Sequence, residues 1–128
     1  MNPADLATRY RAYIACLNQQ DWPSLGQFVD DQVHYNGQLI GLAGYQAMLE
    51  QNFADIPDLA FTVEQLLSEP PWVASRLTFV CTPIKLFMGL AVNGRTVTFS
   101  ENVFYGFRDG RIEQVWSVID TAAIQAQL

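Results

Sequence analysis

Apolar positions in the first half of the chain recur every three or four residues. Leu6, Tyr10, Tyr13, Ile14 and Leu17 fall on one face of a helix of roughly four turns that ends before Asp21. Asn2, Pro3 and Asp5 write its start: a side-chain acceptor for free amides, a pre-set φ and an anion in the first turn. Asp21-Trp22-Pro23 opens a second, short helix through Phe28. Residues 31–40 read as a strand or hairpin interrupted by the turn-prone pair Asn36-Gly37. After Gly41 the spacing of Tyr45, Met48, Leu49 and Phe53 predicts a third helix, which Pro57 stops.

The period then changes from helical to alternating. Leu59, Phe61 and Val63 alternate with polar neighbours, Pro70-Pro71 punctuates, and residues 72–82 are apolar and β-branched. Residues 96–107 and 111–119 form two further strands around Asp109-Gly110, the pair favoured by a two-residue type I′ turn. A last helix follows over residues 121–128. Helices first and an antiparallel sheet afterwards make one α+β domain over residues 1–128.

A regular ladder from that turn pairs Phe107 with Ile112, Tyr105 with Gln114, Val103 with Trp116 and Glu101 with Val118, with Phe99 facing Asp120. Phe99, Glu101, Val103, Tyr105, Gln114, Trp116, Val118 and Asp120 then share one apolar face, while Asn102 and Ser117 lie on the wet one. Two carboxylates, Glu101 and Asp120, stand diagonally on the apolar face at roughly 7–8 Å between backbones. Lost hydration and mutual repulsion would let at least one hold its proton to higher pH and exchange it near neutrality. Other readings are open at this point. Asp120 suits the cap of the last helix, Glu101 could pair with Arg76, and a bulge in either strand would turn one carboxylate outward.

Composition narrows the chemistry. Thirteen acidic against seven basic residues give a net charge of −6 with no basic cluster, which argues against nucleic acid and anionic membranes as partners. Half the residues are hydrophobic, enough for a core without staples. One histidine, His34, and two cysteines far apart, Cys16 and Cys81, leave no zinc pattern, and both thiols are expected to be buried. No apolar run spans a bilayer and no leader pattern opens the chain, so a soluble, cytoplasmic protein is expected.

Several segments taken in order carry a resemblance: Val33-His34 with Gly41-Leu42-Ala43-Gly44-Tyr45, the run from Asp55 to Glu64, Gly94-Arg95, the run from Phe104 to Glu113, Trp116-Ser117-Val118-Ile119-Asp120, and Gln127-Leu128. Over nearly its whole length the chain resembles the SnoaL-like polyketide cyclase, or ester cyclase, family. The resemblance implies a cone-shaped α+β barrel like nuclear transport factor 2 and ketosteroid isomerase. In it three N-terminal helices pack on a strongly curved, mixed but mostly antiparallel sheet around one apolar pocket. It also implies a homodimer through the open sheet face. Characterised cyclases of the family close a ring of an aromatic polyketide ester by intramolecular aldol condensation, with no metal or organic cofactor. An aspartate at the matching end of the last strand is their acid/base, and Asp120 holds that position. Many relatives carry a histidine where this chain has Pro83; Glu101 is the second polar partner chosen here on geometry.

The expected activity is therefore cofactor-independent acid/base cyclisation of a small, largely apolar carbonyl compound. Asp120 and Glu101 would be catalytic. Trp116, Tyr105, Gln114, Phe99, Val118, His34, Asn36, Tyr13 and Arg76 would bind substrate, with residues 84–92 as a loop over the entrance or a dimer contact. The competing expectations are ketosteroid-type isomerisation or dehydration, ligand binding without turnover, and a module that recruits a protein through its exposed sheet face.

Overall fold

A computed structural model describes residues 1–128. Helix α1 (Pro3–Asn18) is capped as its sequence dictates, with Asn2 Oδ1 accepting from the Asp5 amide at 2.8 Å, and it buries Leu6, Tyr10, Tyr13, Ile14 and Leu17. The second helix is a 3₁₀ segment, Trp22–Gln27, rather than an α-helix. Strands β1 (Val29–Tyr35) and β2 (Gln38–Leu39) form a hairpin through Asn36 and Gly37, both at positive φ. Helix α2 (Gly41–Asp55) follows and buries Tyr45 and Leu49.

Strands β3 (Thr62–Glu69) and β4 (Trp72–Cys81) lead to a small hairpin, β5 (Leu86–Phe87) and β6 (Leu90–Ala91), where the sequence suggested only a loop. The long strands β7 (Val97–Arg108) and β8 (Arg111–Ile119) meet at Asp109 and Gly110, again both at positive φ as a type I′ turn requires. Helix α3 (Thr121–Ala126) closes the chain. The main sheet has the order β2-β1-β8-β7-β4-β3, antiparallel except for the parallel β1–β8 pair. This mixed sheet carries one core with α1 and α2 against its inner face. Cys16 and Cys81 are buried free thiols, and no helix is long and apolar enough to cross a membrane.

One departure from the regular ladder governs the site. Phe107 pairs with Ile112 as expected, but Gly106 pairs with Gln114, so Glu113 is an extra residue in β8. The same stretch is irregular on its other side, where Val29 pairs with Ile112 and His34 with Gln114, and the Ile112 amide donates to Phe28 O at 2.7 Å. Gly106 faces the bulge without a side chain; a Cβ there would stand 3.0 Å from the Trp72 ring. Beyond Glu113 every residue of β8 therefore faces opposite to the regular reading. Val115, Ser117 and Ile119 point inward, while Trp116 (45% exposed) and Val118 (70% exposed) point out.

Candidate active site

Between the inner face of the sheet and the helices lies a cavity of about 380 Å³, with mainly hydrophobic walls. Phe79, Phe87 and Phe99 line one side; Phe79 and Phe99 stack at 5.1 Å, and Phe87 lies 5.5 Å from Phe99. Phe87 and Met88, from the small β5–β6 hairpin, are the residues of 84–92 that line the cavity.

Glu101 is the one ionisable carboxyl among the lining residues. It occupies an inward position of β7, paired with Leu77 on β4 and Ile119 on β8, and the part of it still accessible faces the cavity. The Ser117 hydroxyl donates to Glu101 Oε2 across the two strands. Burial pushes the Glu101 carboxyl above the ordinary glutamate range, and the Ser117 hydrogen bond, which favours the ionised form, pulls it part of the way back. The like-charge contribution expected from a second carboxylate has no source here.

Four tyrosines surround this carboxyl: Tyr13 from α1, Tyr35 from β1, Tyr45 from α2 and Tyr105 from β7. Burial raises all four phenols, and the Glu101 charge raises each further, so they remain protonated hydrogen-bond donors at neutral pH. The hydroxyls of Tyr13 and Tyr45 lie 2.6 Å apart. Behind them Tyr10, pushed up to about 12 mainly by burial, donates to Ser75 Oγ at 2.8 Å. Asn36, also on the cavity wall, ties the β1–β2 turn to β8: its backbone amide donates to Val115 O and its Oδ1 accepts from the Ser117 amide, both at 2.8 Å.

Of the residues singled out from the sequence, Glu101, Tyr105, Phe99, Asn36 and Tyr13 line the cavity. The others do not. Asp120 is exposed and caps α3, accepting from the Ala123 amide at 3.0 Å, because the bulge and the end of β8 leave it outside the cavity wall. Gln114, Trp116 and Val118 fall on the outer face by the same one-residue shift. His34 alternates away from the cavity, since the inward phase of β1 is Val33 and Tyr35. Arg76 is on the outer face of β4, where its Nε is 3.0 Å from Glu64 Oε2 and its Nη1 donates to Asn102 at 3.2 Å; it does not pair with Glu101.

The residues missed were Ser117, Tyr35 and Tyr45. Tyr45 was visible only as one member of an apolar helical stripe. Ser117, the single polar residue between Val115 and Ile119, would have stood out only on the other parity of β8.

The model of SnoaL-like polyketide cyclases matches residues 7–128 of the chain. The chain belongs to the SnoaL-like polyketide cyclase family. The crystal structure of a SnoaL-like polyketide cyclase from Agrobacterium tumefaciens is 52% identical to this family member and superposes with a TM-score of 0.94, covering 95% of this chain and 96% of that one. IdmH from Streptomyces antibioticus, 22% identical, has a TM-score of 0.80 over 99% of this chain and 98% of its own. AclR from Streptomyces galilaeus, 21% identical, reaches 0.79 over 98% and 96%. These two likenesses concern the fold. Among curated proteins no sequence matches this cyclase-family chain.

Proposed function

We propose that this chain catalyses a cyclase-type reaction, the intramolecular aldol closure of a small, largely apolar carbonyl compound, with Glu101 as the group that moves the proton. The observation that carries this reading is a lone, partly desolvated carboxyl on the wall of an apolar cavity. A carboxyl with a raised pKa is a base strong enough to take a proton from carbon and an acid able to return it.

The ionised Glu101 removes a proton next to a carbonyl. The C–H electron pair becomes the C=C bond of an enolate, and the enolate carbon attacks a second carbonyl of the same molecule. The new alkoxide then takes the proton back from Glu101. Electrons and protons balance without an oxidant or a reductant. Phe79, Phe87 and Phe99 fold the substrate so that the two carbons meet, which supplies the advantage of an intramolecular reaction. Isomerisation or dehydration would use the same proton transfer, and the outer sheet face joins two copies in this reading.

The test begins with the first step alone. Exchange of the α-hydrogens of 2-tetralone for deuterium, followed by NMR, should be accelerated by the protein and slowed at least about a hundredfold by Glu101→Gln. An unchanged exchange rate in Glu101→Gln would remove Glu101 from the chemistry, and binding of 2-tetralone without any exchange would make the domain a ligand carrier.

A further inference from the structure

Proton abstraction by Glu101 transfers one negative charge from the carboxylate to the carbonyl oxygen of the substrate. In an apolar cavity that oxygen needs a protein donor, because little water is there to receive the charge. Two hydroxyl protons near Glu101 are already committed: Ser117 donates to Glu101 and Tyr10 donates to Ser75.

Tyr13 and Tyr45 differ. Their hydroxyls are 2.6 Å apart, both side chains are buried, both line the cavity, and they come from two helices packed over the same sheet. Two phenols carry two protons, and the bond between them uses one. The remaining proton sits on the phenol that accepts, and accepting a hydrogen bond makes that phenol a stronger donor.

We propose that the Tyr13–Tyr45 pair is the oxyanion subsite of this cavity, taking the oxygen of an enolate or of a ring-borne phenolate on a small apolar ligand. The proposal rests on the role given to Glu101 and adds where the other end of the reacting group lies. During the step the proton goes to Glu101 and the carbonyl π pair goes to oxygen, so the total charge of the site stays constant. An anion at the tyrosine pair is accordingly bound best when position 101 is uncharged.

The experiment uses 4-nitrophenol, whose absorption reports whether it is bound as the anion, and 4-nitrotoluene, of similar shape without the hydroxyl. Glu101→Gln should bind 4-nitrophenolate roughly tenfold more tightly than the wild type. Adding Tyr13→Phe and Tyr45→Phe together should lose about ten- to a hundredfold of that affinity, as expected for hydrogen bonds to a charged group. Affinity for 4-nitrotoluene should hold within about twofold, since Tyr→Phe keeps the ring and its packing. Should the double change unfold the chain, Tyr45→Phe alone is read the same way, with a loss of several-fold.

Undiminished 4-nitrophenolate binding after loss of both phenols overturns the subsite, as does equal loss of 4-nitrotoluene or no anion binding even in Glu101→Gln. The 2-tetralone exchange separates the two ideas. Exchange abolished by Glu101→Gln with anion binding indifferent to the tyrosines leaves the catalytic reading standing and the subsite wrong; exchange indifferent to Glu101→Gln with anion binding lost in the tyrosine variants does the reverse.

Discussion

Glu101 and Asp120 show how one element of surroundings separates two carboxylates that the sequence could not tell apart. Glu101 keeps its proton to higher pH in the folded chain than in the unfolded one because burial disfavours its charge. Between the ordinary glutamate range and the raised value the folded chain binds more protons, so this group lowers stability as pH rises through that window. Glu101→Gln, which can still accept from Ser117, should therefore melt above the wild type at about pH 7, and the difference should close by about pH 3, where both states of the wild type hold the proton. Thermal unfolding at the two pH values checks this; a lower melting temperature for Glu101→Gln at neutral pH would contradict the burial argument. Asp120 belongs to helix capping. Asp120→Ala should cost about 1 kcal/mol and Asp120→Asn much less, because asparagine caps nearly as well. Neither should slow 2-tetralone exchange, and a hundredfold loss in Asp120→Asn would return that residue to the chemistry.

At the scale of elements, most of the fold was legible because local chemistry specified it. Asn2-Pro3 starts α1, Pro57 follows the end of α2, and Asp109-Gly110 fixes the β7–β8 turn. The bulge at Glu113 was not legible. Beyond it β8 reads Val115, Trp116, Ser117, Val118, Ile119, apolar on both parities, so hydrophobic alternation could not choose a face. The choice is made by distant partners: β1 pairs with β8 from the other side, and Trp72 covers Gly106. That one residue decided half the candidate site, excluding Gln114, Trp116 and Val118 and admitting Ser117. The bulged register makes a sharp prediction. Deleting Glu113 removes the extra residue while leaving Gly106 opposite Gln114 and Val103 opposite Ser117, so it should cost no more than about 2 kcal/mol and preserve the cavity. In a bulge-free hairpin the same deletion would exchange the two faces and unfold the chain. Urea unfolding of the deletion variant distinguishes these outcomes.

For the whole molecule the outward parity of β8 has a second effect. Leu67, Ala74, Phe104 and Trp116 lie in register across β3, β4, β7 and β8, and three of them are large and exposed: Leu67 at 61%, Phe104 at 58% and Trp116 at 45%. Val118 adds to this patch on the same face. A chain with a net charge of −6 repels copies of itself, and the repulsion is weakest where carboxylates are absent. None stands in this row, so a second copy meets little electrostatic opposition there, and the proposed pairing requires that apolar burial outweigh the residual repulsion. The sheet residues that line the cavity are on the opposite face, so pairing through this row does not cover them. Sedimentation equilibrium should give twice the chain mass for the wild type and the single chain mass for Phe104→Glu, which would bury an unpaired charge from each copy in the contact. Because Phe104 points away from Glu101, the monomeric variant should still exchange 2-tetralone hydrogens at a rate within a few-fold of the wild type. A wild-type chain that sediments as a monomer would refute the pairing, while an unfolded Phe104→Glu would make the row part of the core, contrary to its exposure.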